Sequence, residues 1–387
     1  MDKVKVIFFA DMLIADFDGA SKTMYQLINR IPSERFEFLF VCGAGPDRIA
    51  GFKCIRVFAL SVPGNKSYRV ATAVFQKAEL DKEIVRFAPD IIHIATPSLL
   101  GNYALKAAKR MGIPVMSIYH THFVSYVDYY VKNFPFLIDF TKDRIKNILK
   151  TFYNQCDTVY VPSRTMIREL VSTGIRPDVI KLWERGIDKH LFSPSKRNRN
   201  SMRALTGNDN PCVLFASRLV WEKNLQTMID LYALTEKNRL NYNFIIAGDG
   251  VAREALEKQM PKACFLGFLA HAKLADIYAS SDVFFFPSVT ETFGNVVLEA
   301  MASGIPCVIA NSGGSKDFVR HGVNGFLCNP TDAQDFLDCI SAIIEQPELA
   351  KRFSEEGIKT TKKYVWENLA GEYFDDLESL AVKTFVI

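Results

Sequence analysis

The chain has 387 residues, of which 49% are hydrophobic and 23% charged, and its formal net charge is +4 at pH 7. This balance is typical of a folded globular protein and excludes a disordered or fibrous chain. The length predicts two domains, because one hydrophobic core seldom serves so many residues. Residues 1–195 hold 27 Lys and Arg against 19 Asp and Glu, so we expect an anionic ligand or surface on that half. Nucleic acid is not expected as a partner, because no basic tract or nucleic-acid motif accompanies this charge.

Export and membrane insertion are not expected from the sequence. The first residues enter the β-like run VKVIFF without a leader-like apolar segment, which argues against a secretory signal. No run of about 18 apolar residues predicts a transmembrane helix. The eight cysteines are scattered without a CxxC pair, which favours reduced, buried thiols over disulfides or a zinc site. We therefore expect a cytoplasmic protein.

Apolar runs that recur along the chain, with helical patterns between them, are predicted to be strands. They span residues 4–11, 36–43, 54–60, 90–97, 114–120, 158–163, 212–219, 243–250, 264–269, 282–288, 306–312 and 325–330. Most are continuous rather than alternating, which indicates parallel strands buried on both faces. Strands that alternate with helices predict an α/β protein with doubly wound sheets.

One polar, basic segment, 193–211, separates two series of strands. We interpret it as a linker between two Rossmann-like domains that face each other across a cleft. The expected bounds are 1–195 for an acceptor-binding domain and 208–365 for a nucleotide-sugar domain, with a final helix at 366–387 that returns to the first. Ligands of such sheets bind beyond the carboxyl ends of the strands.

The first predicted strand is followed by Gly19, which opens a helix whose free N–H groups could approach a phosphate. The GxGxxG fingerprint is missing from this turn, which counts against an NAD or FAD enzyme. Asp16 and Asp18 form a DxD pattern that could hold a divalent ion, although a solvated turn is the favoured interpretation.

After the fifth run, His120 and His122 alternate in YHTH, so only one of them can face a ligand. His120, nearer the strand end, is the candidate.

In the second half, Arg218 ends a predicted strand within FASRLVWEKNL and Lys223 follows five residues later. An arginine fork and a lysine point charge at a strand-to-helix turn could clamp a diphosphate. The GDG turn at 248–250 allows a close approach between backbone and ligand.

Two glutamates eight positions apart flank the start of a later predicted helix, with Glu291 in the loop VTETFG and Glu299 inside NVVLEAMASG. The N–H groups of Thr292, Phe293 and Gly294 lie at the positive end of this helix, which stabilises a phosphate. Carboxylates accept hydroxyl hydrogens well. We therefore interpret the spacing as a nucleotide-sugar site, with sugar hydroxyls at Glu291 and ribose hydroxyls at Glu299.

Glu-x7-Glu on this loop and helix, with Arg-x4-Lys upstream, resembles the retaining glycosyltransferases of family 4, which adopt the GT-B fold. The resemblance covers nearly the whole chain and is strongest from 212–225 to 322–330, including PSVTETFGNVVLEAMASGIPCVIANSGG. YHTH, VPSRTMIRELVSTGI and LWERGIDKHLFSP match as well. The chain looks most like the subgroup that includes sulfoquinovosyltransferases and GDP-mannose-dependent α-mannosyltransferases acting on lipids.

The resemblance implies roles for the candidate residues. Arg218 and Lys223 would neutralise the donor diphosphate. Glu291 would hold the donor sugar and Glu299 the ribose. The amides of Phe293 and Gly294 would touch sugar or phosphate.

It also implies that Gly19 belongs to a loop that closes over the diphosphate, although Asp18 stands where many members carry another glycine. His120 would lie near the reacting face of the sugar. The family needs no metal and no cofactor besides the donor, which supports a plain turn for Asp16 and Asp18. The implied reaction transfers a hexose from a nucleotide-sugar, a UDP-sugar or GDP-mannose, to a hydroxyl with retention.

Residues 123–153 interleave aromatic side chains with lysine and arginine, and their apolar residues from Phe140 to Phe152 recur at helical spacing. A basic amphipathic helix can lie on an anionic membrane, so we expect a lipid acceptor and peripheral membrane association. An ordinary packed helix with a solvated basic face is the alternative. Polysaccharide or soluble-glycoside synthesis, a nucleotide-sugar 2-epimerase, a sugar phosphorylase and a non-catalytic binding protein remain the alternative functions.

Overall fold

The structure is a computed structural model that describes residues 3–15, 17–62, 65–121, 124, 127 and 138–383. Its strands are β1 Val4–Met12, β2 Phe36–Ala44, β3 Arg48–Ile49, β4 Phe52–Arg56, β5 Ala59–Val62, β6 Asn65–Ala71, β7 Ile91–Ile94, β8 Val115–Ile118, β9 Thr158–Val161, β10 Ile180–Leu182, β11 Cys212–Ala216, β12 Asn243–Ala247, β13 Cys264–Gly267, β14 Val283–Phe286, β15 Cys307–Ala310 and β16 Gly325–Cys328. Each predicted apolar run overlaps one or two of these strands.

The α-helices of the described residues are α1 Gly19–Ile28, α2 Lys77–Phe87, α3 Leu99–Met111, α4 Ile138–Tyr153, α5 Arg164–Ser172, α6 Arg199–Thr206, α7 Leu225–Lys237, α8 Arg253–Gln259, α9 His271–Ser280, α10 Asn295–Ala302, α11 Ala333–Glu345, α12 Pro347–Thr361 and α13 Trp366–Lys383. None of them is both long enough and apolar enough to cross a membrane.

The chain forms two compact units. Among the described residues, the first unit holds those up to 127, 138–184 and 366–383, and the second holds 185–365. The first unit contains a sheet of order β10-β9-β8-β7-β1-β2-β4-β3, parallel except for the short β3. One core on this sheet includes residues of α2, α3 and α4, and the other includes residues of α1 and α13.

The second unit contains a fully parallel sheet of order β13-β12-β11-β14-β15-β16. Its strands β14 and β15 are buried along their whole length, as continuous apolar runs predict for strands with helices on both faces. One hydrophobic core serves this unit. Both units are therefore doubly wound α/β sheets, and the predicted fold class is confirmed.

The predicted run 54–60 is divided between two different structures, because β4 joins the main sheet while β5 pairs antiparallel with β6. The hairpin packs at Gly43, where a Cβ would lie 2.7 Å from the Ala71 Cβ. Asp11 at the end of β1 accepts hydrogen bonds from the Ala71 N–H at 2.9 Å and from Thr96 Oγ1 at 2.8 Å. Burial raises the pKa of Asp11. The hairpin is thus attached to the carboxyl end of the first sheet.

The polar segment 193–211 is not a linker, so the predicted interpretation is wrong. It contains α6, whose Met202 is buried in the second core, and Arg199 forms an ion pair with Asp282 at 2.7 Å. The boundary between the two units lies between residues 184 and 185 instead. Polar composition failed as a linker signal because the polar face of α6 is solvated while a single apolar residue anchors it.

The last helix, α13, packs on the first sheet. The Trp183 indole donates to the Leu369 carbonyl at 3.0 Å, and Arg35 forms ion pairs with Asp375 and Glu378, both at 2.8 Å.

All eight cysteines are free thiols, and six of them are buried.

Candidate active site

The loops that follow β11 and β14 carry the candidate residues of the second unit. A single turn, Trp221–Lys223, follows β11 and ends at Asn224, whose φ of 57° is left-handed. The Asn224 side chain donates to the Pro287 carbonyl at 3.1 Å and to the Pro330 carbonyl at 2.7 Å. These bonds hold the turn against the loops after β14 and β16, at the carboxyl edge of the sheet where ligands bind.

Lys223 and Glu291 form a buried ion pair at this edge. Lys223 Nζ lies 2.6 Å from Glu291 Oε1, with side-chain exposures of 8% and 18%. Ser288 Oγ donates to the same carboxylate oxygen at 3.1 Å. Burial by itself raises the pKa of Glu291, but the Lys223 charge and the hydrogen bonds from Lys223 and Ser288 outweigh it and leave the pKa below its ordinary value. Glu291 is therefore an ionised acceptor beside a fixed cation.

Arg218 lies two residues beyond β11 and is half exposed, with a side-chain exposure of 55%. Its Nη2 lies 2.9 Å from Glu222 Oε1, and the Glu222 side chain is 5% exposed. Thr290 Oγ1 donates to the Glu222 carbonyl at 3.3 Å, which joins this turn to the loop of Glu291. The structure thus brings Arg218, Lys223 and Glu291 to neighbouring loops, as the sequence predicted.

The GDG turn after β12 packs closely against the Arg218 loop. A Cβ at Gly248 would lie 1.9 Å from the Ser217 carbonyl oxygen, and one at Gly250 would lie 2.4 Å from that of Leu219. The φ angles of both glycines, 142° and 156°, are also unfavourable for other residues. Glycine is required here for packing of backbone against backbone, which orients the loop that carries Arg218.

Helix α10 begins at Asn295, directly after the candidate amides. Gly294 caps it with φ 92°, and a Cβ there would lie 2.5 Å from the Ser315 Cβ. The Phe293 ring is buried against Phe318, with ring centroids 4.7 Å apart. Thr292 is half-buried. Phe293 therefore anchors the loop, while its backbone stays at the start of the helix.

Glu299 lies in the second turn of α10 and is half-buried. The buried Tyr278 hydroxyl of α9 is its neighbour, and burial together with the Glu299 carboxylate raises the pKa of Tyr278 well above its ordinary value. The tyrosine therefore stays protonated and can donate toward Glu299. Tyr278 and Glu222 are contacts that the sequence analysis missed. Arg218 lies in a loop before the turn Trp221–Lys223, so helical i, i+4 spacing does not predict its pair with Glu222. No local pattern points to Tyr278.

In the first unit, Gly19 is the first residue of α1, as predicted. One of the N–H groups that the sequence analysis expected to be free is occupied, because Asp18 Oδ1 accepts from the Ser21 N–H at 2.7 Å. The other Asp18 oxygen accepts from Tyr68 Oη at 2.6 Å. Asp18 thus acts as a helix cap, a role that aspartate fills well. Asp16 lies outside the described residues.

His120 lies two residues beyond β8 and is buried, with 6% exposure. His122 lies outside the described residues, so the predicted alternation of the two histidines is not described. The segment 123–153 is described mainly from residue 138 onward, where it forms α4.

The amphipathic face predicted for this helix is divided. Leu149 and Phe152 are buried in the first core, whereas Phe140 is 70% exposed and Ile148 is 48% exposed. Arg144 is exposed between them, and Lys146 lies 3.7 Å from Asp143. Core packing therefore explains Leu149 and Phe152, whereas Phe140 and Ile148 form an exposed apolar face on the same helix.

Two doubly wound α/β units are the architecture of the GT-B fold, and the buried lysine–glutamate pair lies beside a helix start in the second of them. Residues 17–191 match the family described as Glycosyltransferase Family 4, and residues 197–360 match the one described as Glycosyl transferases group 1. A GDP-mannose-dependent alpha-mannosyltransferase of Mycobacterium tuberculosis is 30% identical over 381 residues, 96% of each chain. The chain belongs to glycosyltransferase family 4.

Two further relatives and one solved structure are also similar to this chain. A sulfoquinovosyl transferase of Arabidopsis thaliana is 30% identical over 84% of this chain, which spans 64% of that relative's length. An alpha-monoglucosyldiacylglycerol synthase of Acholeplasma laidlawii is 26% identical over 72% of each chain. The crystal structure of Anabaena HepE in complex with UDP has a TM-score of 0.74 at 21% identity, covering 97% of this chain and 100% of that one.

Proposed function

We propose that this glycosyltransferase is a retaining enzyme that transfers a hexose from a nucleotide-sugar to a hydroxyl of a membrane lipid and forms an α-glycoside. A UDP-sugar is the favoured donor, with GDP-mannose as the second candidate. The observation that carries the donor site is the buried pair of Lys223 and Glu291, which lies at the carboxyl edge of the second sheet next to the start of α10. A carboxylate for sugar hydroxyls, a cation and helix amides are thereby adjacent.

In this proposal Arg218 and Lys223 bind the donor diphosphate, and the amides of Phe293 and Gly294 touch phosphate or sugar. Glu291 accepts hydrogen bonds from the sugar hydroxyls, since Lys223 keeps it ionised. Departure of the nucleoside diphosphate breaks the bond between the anomeric carbon and the phosphate oxygen. The developing negative charge is stabilised by the two cations and the helix start.

Further contacts complete the proposed site. Glu299 accepts from the ribose hydroxyls, and Thr292 adds its backbone N–H at the helix start. Gly19 is assigned to the donor diphosphate and His120 to the reacting face of the sugar. These roles come from the family resemblance, and the burial of His120 is consistent with a defined ring orientation.

The acceptor hydroxyl attacks the anomeric carbon on the face from which the diphosphate departs, and the departing phosphate takes the acceptor proton. The sugar–phosphate bond breaks, the new glycosidic bond forms, and the anomeric configuration is retained. No divalent metal is part of this proposal, since the leaving charge has protein cations nearby. The use of Asp18 as a helix cap supports that view.

A lipid acceptor is proposed from two observations. The relative from Acholeplasma is by its name a glucosyldiacylglycerol synthase, and α4 exposes Phe140, Arg144 and Ile148 at i, i+4 and i+8. Exposed aromatic, aliphatic and basic side chains on one helix face favour the interface of an anionic bilayer. The proposed location is therefore the cytoplasmic side of a membrane, with peripheral attachment.

A thermal-shift screen of UDP-, GDP- and ADP-sugars tests the donor proposal, and incubation of the stabilising donor with a lipid extract tests the acceptor. We expect one nucleotide-sugar to raise the melting temperature of the protein. With that donor and the lipid extract, we expect a glycolipid whose new linkage is shown to be α by NMR. A β-linked product would contradict retention. A product formed only on a soluble sugar would favour the polysaccharide or glycoside alternative. Sugar epimerisation without any acceptor would favour a 2-epimerase.

A further inference from the structure

Arg218 and Glu222 form an ion pair whose two members differ in burial. The distance from Arg218 Nη2 to Glu222 Oε1 is 2.9 Å, but the arginine side chain is 55% exposed and the glutamate side chain is 5% exposed. A long exposed arginine has many accessible rotamers, whereas a buried carboxylate that left its cation would remain an uncompensated charge. Glu222 is therefore the fixed member of the pair.

The backbone that carries Glu222 is held on two sides. Its carbonyl accepts from Thr290 Oγ1 at 3.3 Å, in the loop that also carries Glu291. Two residues later, the Asn224 side chain donates to the Pro330 carbonyl at 2.7 Å. The backbone around Glu222 is thus held by the loop that carries Glu291 and by the loop after β16.

We propose that Glu222 is a positioning residue, which holds the Arg218 guanidinium in the orientation that binds the donor diphosphate. This inference rests on the proposed function, in which Arg218 contacts that diphosphate. A guanidinium carries five N–H donors in a rigid plane, so a bond from Nη2 to Glu222 sets the direction of the whole group. Fixing it before the donor arrives lowers the entropy that binding would otherwise lose.

A double-mutant cycle on UDP and GDP binding, measured by titration calorimetry, tests the proposal. Losing a charged hydrogen bond costs about 1.5–3 kcal/mol, so we expect Arg218→Ala and Glu222→Ala each to weaken binding of the preferred nucleotide by about tenfold or more. Because Glu222 acts through Arg218, the double variant should bind no worse than Arg218→Ala alone. Glu222→Gln should stay within about threefold of wild type, since its amide oxygen still accepts from the guanidinium.

Glu254→Ala is the matched control, because it breaks the exposed i, i+4 pair of Glu254 with Lys258 in the same unit. It should leave nucleotide binding unchanged. Glu222→Met fills the buried site without accepting a hydrogen bond, so it replaces Glu222→Ala if that variant does not fold. It should show the same non-additivity with Arg218→Ala.

Three outcomes would overturn the inference. Additive losses in the cycle would show that Glu222 acts independently of Arg218. Tighter nucleotide binding in Glu222→Ala would show that the carboxylate competes with the diphosphate. Equal losses in folded Glu222→Gln and Glu222→Ala would show that charge rather than the contact matters. If wild type bound neither nucleotide, the proposed function itself would fail. If only the inference failed, wild type would still bind nucleotide normally, and the cycle would show no coupling between Glu222 and Arg218.

Discussion

Lys223 Nζ lies 2.6 Å from Glu291 Oε1, although 68 residues separate the two along the chain. The pair is largely buried, so each charge depends on the other for compensation. A diphosphate that binds Lys223 would share it with Glu291, and a sugar that binds Glu291 would contact a carboxylate already fixed in place. One ion pair thereby links the two parts of the proposed donor site.

Replacing either cation should impair catalysis. We expect Arg218→Ala and Lys223→Ala each to lower kcat by on the order of 10²-fold, the usual effect of losing one preorganised electrostatic group. Lys223→Ala should also reduce stability by about 3–5 kcal/mol, because Glu291 is left buried without its partner. Steady-state kinetics and urea unfolding measure the two effects separately. Lys258→Ala, at an exposed ion pair, is the control, and near-normal kinetics in both site variants would refute the assignment.

The two glutamates should differ in what they bind. Glu299→Gln should weaken binding of free UDP or GDP, because the proposed contact is the ribose. Glu291→Gln should chiefly impair use of the intact nucleotide-sugar. Competition by free nucleotide distinguishes them, since free nucleotide lacks the sugar. Equal loss of free-nucleotide affinity in both variants would mean that the roles are misassigned.

The ion pair should make stability depend on acid pH. The pKa of Glu291 in the folded protein lies below its ordinary value of 4.5. Its contribution to the free energy of unfolding is therefore fully present above pH 4.5 and is lost as the pH falls through the folded pKa. Urea unfolding at a series of pH values below 6 measures this loss. Glu291→Gln should show a shallower dependence than wild type, and an identical slope in the two proteins would contradict the expected linkage.

Metal should not be required for transfer. Protein cations and the start of α10 stabilise the leaving diphosphate in the proposed mechanism, and Asp18 caps α1. We expect full activity after treatment with EDTA and dialysis. Activity that disappears with EDTA and returns with Mn²⁺ or Mg²⁺ would show that a divalent ion takes part.

The exposed face of α4 should bind anionic membranes. Phe140→Ser combined with Arg144→Glu removes an apolar and a basic contact from that face, and each basic residue near such a surface contributes about 1 kcal/mol. The variant should sediment less with phosphatidylserine vesicles while binding nucleotide normally, and wild-type sedimentation should decrease with salt. Lys258→Glu, in the second unit, controls for the change in charge. A wild type that ignores these vesicles at low salt would exclude this membrane contact.

Much of the fold was predictable because burial leaves a local record in the chain. Strands such as β14 and β15 are apolar at every position, since both faces of a parallel sheet are covered. Helix α1 likewise starts at Gly19, where Asp18 supplies a cap. Arg218, Glu291 and Glu299 were also identifiable, because their spacing along strand ends and helix starts is local.

Other features depended on contacts between distant segments. The segment 193–211 is as polar as a linker, yet Met202 buries α6 against the second core. The apolar residues of α4 share one helical period, but packing buries Phe152 and leaves Phe140 exposed. The sequence by itself determined most of the strands, the two doubly wound units and the candidate residues, but not β3, β6 and β10. Only the tertiary structure decided that Lys223 pairs with Glu291, because that meeting depends on how separate loops pack at the sheet edge, which no local period encodes.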